Sequence, residues 1–146
     1  MLLFLFKQLP AKDAFHDAVK SGLQKEGWVI THDPLFLRVG GVEMYVDLAA
    51  EKLIGAEKDG QKIAVEIKSF LATSNISEFH TAVGQFLNYR LALEEEEPER
   101  KLYLAVPQDI YHSFFSLPFI ERVIYRYQLE IIVYNPDGEA IVQWPT

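Results

Sequence analysis

The hydrophobic positions along the chain change period several times, and each change marks an element. Between residues 11 and 26 they recur at helical spacing: Phe15, Val19 and Leu23 form a stripe beside the small residues Ala18 and Gly22. Pro10 suits the first turn of such a helix and Gly27 its end. Trp28 to Thr31 reads as a short strand broken by Asp33-Pro34. Leu35 to Val39 reads as a second strand ended by Gly40-Gly41, and Val42 to Leu48 as a third. Leu53 to Lys58 and Gln61 to Phe70 are predicted to be the arms of a β-hairpin around a tight Asp59-Gly60 turn. On the second arm Ile63, Val65 and Ile67 point one way, and Ala64, Glu66 and Lys68 the other, because strand side chains alternate.

A polar break at Thr73 to Ser77 follows, with Asn75 and Glu78 spaced as a capping box. The next helix runs to about Glu94, with Phe79, Val83, Phe86 and Leu87 toward the core. Lys101 to Val106 is an apolar strand closed by Pro107. Gln108 to Tyr127 is helical and aromatic-rich, interrupted near Pro118. Leu129 to Tyr134 and Ala140 to Trp144 are strands joined by the turn Asn135-Pro136-Asp137-Gly138. The order predicts an α/β domain with a mixed central sheet flanked by helices. Residues 1–9 read as an N-terminal extension and residues 10–146 as a single domain.

Composition narrows this picture. The 146 residues suit one domain, and a hydrophobic share of 49% is ample for a packed core. With no cysteine, disulfides and thiolate-held zinc are excluded. The run Leu2 to Phe6 lacks the flanks of a secretory signal and is too short to span a bilayer, so no membrane association and a cytoplasmic location are expected. The net charge of −7 weighs against an ordinary nucleic-acid binder, but much of it is local. Residues 71–100 hold six acidic against two basic side chains, mostly in the run Glu94 to Glu97 and Glu99, placed at a helix end away from any groove.

Three groups of residues can carry chemistry. Glu66 and Lys68 lie two apart on one strand face, so their tips converge. A carboxylate can hold Mg²⁺, and an ammonium beside it can orient water or stabilise negative charge building up on a phosphate. Glu-x-Lys alone is common on exposed strand edges. Asp47, near the end of the Val42 to Leu48 strand, can be brought beside Glu66 to make a two-carboxylate site; Glu57, Glu43 and Glu51 are competing acids. Gln85 and Tyr89 sit four apart on the helix that follows, on a face roughly opposite Phe86 and Val83, where they could hold a metal-bound water or a phosphate. Asp13, His16, Asp17 and Lys20 form a polar stripe on the first helix. It reads either as a solvated face or as His16 or Asp17 at the mouth of the site. His32, His80 and His112 show no paired ligand spacing, and no glycine-rich phosphate loop is present.

Together Asp47, Glu66-Ile67-Lys68 and Gln85-Phe86-Leu87-Asn88-Tyr89 resemble the PD-(D/E)XK nuclease superfamily, the last element being similar to the Gln-x-x-x-Tyr motif of its RecB-like branch. A closer resemblance spans nearly the whole chain. Pro10 to Lys20, Ile30 to Leu35, Val65 to Phe70, Ser77 to His80, Gly84 to Arg90, Leu117 to Ile120 and Ile132 to Pro136 look like the XisH proteins. These are the fdxN element excision controlling factors of filamentous, nitrogen-fixing cyanobacteria. The resemblance implies a restriction-endonuclease-like core and a part in programmed DNA excision, alongside a site-specific recombinase and an XisI-type partner. It also implies a site in which Asp47, Glu66 and the Ile67 carbonyl hold Mg²⁺ or Mn²⁺, Lys68 assists the attacking water and Gln85 steadies the assembly, with Tyr89, His16 and Asp17 in support.

Two functions follow. One is a metal-dependent DNA endonuclease, which the intact site residues favour. The other is an accessory protein that binds DNA or a partner without cutting, which the acidic charge and small size favour. A restriction or toxin-like module is a weaker third. A homodimer fits either of the first two, because so small a nuclease fold reaches both DNA strands by pairing.

Overall fold

The computed structural model describes residues 11–52 and 60–145, with side chains from Ala14 onward. Helix α1 (Ala11–Lys25) leads into four short strands, β1 (Val29–His32), β2 (Leu35–Val39), β3 (Val42–Val46) and β4 (Leu48–Lys52). Strand β5 (Gln61–Ile67), helix α2 (Asn75–Glu96) and strand β6 (Arg100–Pro107) follow. Helices α3 (Gln108–Ser113) and α4 (Pro118–Tyr127) precede strands β7 (Ile131–Asn135) and β8 (Ala140–Gln143). Six strands form one mixed sheet in the order β1-β4-β5-β6-β7-β8, and β2 and β3 pair separately as a small ribbon. The β5–β6 and β6–β7 pairs are parallel and the others antiparallel. Each parallel pair is bridged by helix, as a parallel connection requires.

The sheet is covered on both faces. On one, α1 packs Val19 and Leu23 against Leu48, Val65, Ile132 and Tyr134. On the other, α2, α4 and the β2–β3 ribbon bring Phe79, Phe86, Ile120 and Leu35 against Ala64, Leu104 and Val133. Strand β5 therefore lies between two apolar layers, and everything from Ile63 to Ile67 is buried. Alternation on this strand separates two buried faces, not a wet one from a dry one. Among the described residues no helix is long and apolar enough to cross a membrane.

Three local expectations are corrected. The antiparallel partner of β5 is β4, in a register that sets Lys52 opposite Gln61, and not the expected arm Leu53 to Lys58. Register follows burial, and Leu48 and Ala50 have core positions to fill. The expected arm Leu53 to Lys58 lies outside the described residues, as do residues 1–9. The strand expected from Val42 to Leu48 is two strands, β3 and β4, separated by Asp47. Helix α2 is capped by Ser74, whose Oγ accepts from Ser77 N at 3.3 Å, and not by an Asn75–Glu78 box. Glu78 is engaged elsewhere.

Helix α1 approaches β8 most closely at Gly22. A Cβ there would lie 3.0 Å from the Ile141 nitrogen and 3.2 Å from the Ala140 carbonyl carbon, both main-chain atoms that cannot swing aside. Gly84, on the exposed side of α2, has open space around it. The same kind of change at these two glycines should act in opposite directions. Gly22→Val is expected to cost about 2 kcal/mol through overpacking, and Gly84→Ala to gain up to about 1 kcal/mol from helix propensity. Urea unfolding of both variants checks this, and a stable Gly22→Val protein would refute the close helix–sheet contact.

Candidate active site

The candidate residues meet where β5 ends. The β4–β5 register, continued by one step, sets Asp47 opposite Glu66. Asp47 is bonded to this strand end in both directions: its N–H donates to Glu66 Oε1 at 3.3 Å, and its Oδ2 accepts from the Ile67 N–H at 2.8 Å. Lys68 closes the group, with Nζ 3.5 Å from Glu66 Oε2. Glu66 is only 5% exposed, one of two buried charged residues among those described. Burial first, and the neighbouring Asp47 charge second, push its carboxyl up to about 8, against the opposing pull of Lys68.

A cleft of about 210 Å³ opens onto this cluster, lined by Phe15, His16, Asp47, Ile67, Lys68, Ser69 and Glu78. It lies at the carboxyl end of β5, the end of a parallel strand where ligands of open α/β sheets bind. A larger hollow, about 560 Å³, lies between α3, α4 and the β7–β8 edge, and none of Asp47, Glu66, Lys68 or Gln85 lines it.

The other candidates divide. His16 reaches the cleft, with Nε2 2.8 Å from Asp33 Oδ1. Lys20 Nζ donates to the other Asp33 oxygen at 2.8 Å. Partial burial would raise the Asp33 carboxyl, but Lys20 and His16 outweigh it and hold it below its ordinary value. Asp17 is exposed and does not line the cleft. Tyr89 packs on the core formed around Phe86, so the face expected opposite Phe86 in fact turns toward the sheet. Its hydroxyl is pushed up to about 12 by burial and by the charges of Glu66 and Asp47, which marks it as a neighbour of the carboxylates. Gln85 makes no hydrogen bond to either carboxylate, and its buried Oε1 meets no donor among the described residues. Of the competing acids, Glu43 pairs across the ribbon with Arg38, Glu51 lies along β4 toward Arg100, and Glu57 is outside the described residues.

Sequence reasoning missed three contributors. Asp33 anchors His16 and Lys20 from the turn after β1. Glu78, whose spacing from Asn75 predicts a cap, instead accepts through its carboxylate from the Phe70 N–H at 2.9 Å and the Ala72 N–H at 3.3 Å. Tyr134 donates its hydroxyl to the Lys68 carbonyl at 3.1 Å. Among the described residues no three His, Cys, Asp or Glu side chains gather as a ready metal cage. A cation here would take two carboxylates and fill its shell from main-chain oxygen and solvent.

The family model described as XisH protein matches residues 9–142. The chain belongs to the XisH family. A XisH family protein from Nostoc punctiforme PCC 73102 is 50% identical, with a TM-score of 0.85 over 92% of this chain and 100% of its own. A fdxN element excision controlling factor protein from Anabaena variabilis is 52% identical, with a TM-score of 0.83 over 92% and 99% of the two chains. No curated protein matches. The XisH family thus supplies the identity of the fold seen here, and the cleft at β5 is a feature of one of its members.

The raised Glu66 carboxyl carries a stability signature. In the unfolded chain it titrates near its ordinary value of 4.5, and in the fold near 8, so folding favours its protonated form. Its contribution is fully present below pH 4.5 and is lost as pH rises through 8. Metal-free protein should therefore grow less stable in urea between pH 5 and 8. Glu66→Gln, neutral at every pH and nearly isosteric, should flatten that dependence. An unchanged slope in the variant would remove Glu66 as its source.

Proposed function

We propose that this XisH family chain is a metal-dependent DNA endonuclease acting in programmed site-specific excision, as the name of its Anabaena variabilis relative suggests for that protein. The observation that carries the reading is the juxtaposition of Asp47, Glu66 and Lys68 at the end of β5, where Asp47 and Lys68 line a cleft and Glu66 is buried beside them. A buried carboxyl left with so few partners, beside a second carboxylate and a lysine, is an arrangement that catalytic sites use. A restriction-endonuclease-like core is part of the same proposal. An antiparallel β4–β5 pair leading into a parallel β5–α2–β6 crossover, with Gln85 and Tyr89 on that helix, supports it.

The residues fit a hard divalent cation, because the adjoining carboxylates of Asp47 and Glu66 are oxygen donors of the kind Mg²⁺ or Mn²⁺ prefers. Asp47, Glu66 and the Ile67 carbonyl would hold it. When bound, the ion would polarise a phosphodiester and supply an acidified water. The chain's own residues do the rest. Lys68, tethered to Glu66, offers positive charge where the phosphate gains negative charge. Tyr89, packed on the core from α2, would restrict solvent on the helix side. Gln85 is a reserve acceptor that a bound water could satisfy. His16, fixed by Asp33, borders the cleft and can meet a phosphate oxygen.

The reading extends to partners. DNA is the substrate, and the excision recombinase and an XisI-type protein are the expected associates, with a homodimer as the means of reaching both strands. The net charge of −7 favours a second reading, in which the fold binds a partner or DNA without cutting it.

A Mn²⁺-dependent cleavage assay on supercoiled and branched DNA, with and without the partner protein, separates the two. Cutting by the wild type is expected. Lys68→Ala should lose about 10²-fold in rate while still binding metal. Glu66→Gln should weaken Mn²⁺ binding by about 10-fold or more. If both variants still support excision in cells, the site is vestigial and the accessory reading replaces the nuclease.

A further inference from the structure

Lys68 stands at the point where β5 stops and a turn begins, a position where a long side chain would ordinarily wander. Its main chain is instead held on both sides. The Lys68 N–H donates to the Ala105 carbonyl at 2.9 Å, extending the parallel ladder by one bond. Its carbonyl accepts from the Tyr134 hydroxyl at 3.1 Å. Two residues on, Phe70 takes the left-handed conformation, φ 54°, which a residue with a side chain adopts only when its surroundings compel it. Glu78 supplies part of that compulsion, with one carboxylate oxygen on the Phe70 N–H and the other on the Ala72 N–H. The Phe70 ring supplies more, its centroid 5.3 Å from that of Phe115 and 6.2 Å from that of Phe114.

We propose that Tyr134 and Glu78 are positioning residues, a two-point clamp on the β5–α2 turn that holds the Lys68 ammonium against Glu66 in the cleft. The proposal rests on the nuclease reading for its purpose, but the clamp itself is a statement about Lys68. Tyr134 is fully buried on β7, with the Phe15 ring edge-on at 6.2 Å, so its hydroxyl has little freedom. Burial, and then the charges of Glu78 and Asp47, raise its hydroxyl above its ordinary value, so it remains a donor throughout the working range. Glu78 lines the same cleft from the first turn of α2, so the two clamp points reach the turn from different elements. A carboxylate that engages two N–H groups does what no neutral side chain of its length can, because both of its oxygens accept.

Tyr134→Phe removes one hydroxyl and leaves the ring in place, and Glu78→Gln keeps length but turns one acceptor into a donor. In the Mn²⁺-dependent reaction each should lower kcat by about 10²-fold, the effect of a displacement near 1 Å. KM should change little, and the thermal midpoint should fall only by the few degrees that one lost hydrogen bond costs, too little destabilisation to lower kcat by that factor in folded protein. A second measurement is independent of cleavage: the rate at which an amine-acylating reagent labels Lys68, followed by mass spectrometry on the full chain. That rate should rise about fivefold in each variant, the ratio that corresponds to one lost hydrogen bond. Unchanged Lys68 labelling in both variants overturns the clamp, whether or not the wild type cuts DNA. Faster labelling with unchanged kcat, in a wild type that does cut, overturns its role in positioning for the reaction. If the wild type does not cut at all, the nuclease reading falls, and the labelling rates alone decide the clamp.

Discussion

A carboxylate on a strand buried from both sides is the constraint around which the rest of this structure is arranged. Strand β5 is sandwiched between the α1 layer and the α2 layer, so Glu66 cannot turn to solvent. An ionised carboxylate in such a place needs hydrogen bonds and opposite charge, or it takes up a proton. What surrounds Glu66 is deliberately incomplete: one N–H at 3.3 Å, one ammonium at 3.5 Å, and the negative charge of Asp47 working against both. The reciprocal bonds between Asp47 and the Glu66-Ile67 segment do hold the corner between β3 and β4 firmly on β5. They fasten the backbone without neutralising the charge.

The other end of the same strand shows what full compensation looks like. Arg100, 6% exposed, is the second charged residue in the buried set, and it enters β6 beside the start of β5. Its guanidinium donates to the Ile63 carbonyl at 3.0 Å and binds Glu97 through two nitrogens at 3.0 and 3.1 Å, with Glu51 at 3.7 Å. A planar fork with this many acceptors is a satisfied buried ion. The contrast between the two ends of one sheet is informative. The fold can neutralise a buried charge when it closes a seam between strands, and it leaves Glu66 short of partners at the end where the cleft opens.

Most of the architecture was legible in the chain because it follows from periodicity. The helices at 11–25 and 75–96, the division near Pro118 and the closing strands agree with the elements read from spacing, with ends differing by a few residues. What spacing could not convey is the depth of burial on β5, since alternation of Ile63, Val65 and Ile67 with Ala64 and Glu66 looks the same on a half-wet strand as on a central one. The β4–β5 register was hidden too, because Asp59-Gly60 is a strong local turn signal, whereas the strand that pairs with β5 is the one that buries Leu48 and Ala50. Asp47, Glu66 and Lys68 could be named from their types and order. Tyr134 and Glu78 could not, because their roles are bonds to main-chain groups far away or around a turn, and no side-chain pattern encodes those.

The acidity of the chain, which argues against a nucleic-acid partner when taken as one number, loses that force once its position is known. The run Glu94 to Glu97 caps the far end of α2, while Glu78 at the near end lines the cleft. Sixteen residues of helix separate Glu78 from Glu94, about 24 Å along the axis. That is about three Debye lengths at physiological salt, so the run is screened from anything seated in the cleft. Its placement also sets negative charge against the negative end of the helix dipole, and no basic residue in the last turn offsets it. Part of the relief comes from Glu97, which is turned onto Arg100. The run is thus tied to closing the end of the sheet remote from the cleft. At the cleft itself Lys68 stands against Asp47 and Glu78, with Glu66 beside them drawn toward its neutral form. A divalent cation there would offset the charge of the carboxylates that hold it and so reduce their repulsion of a phosphate backbone.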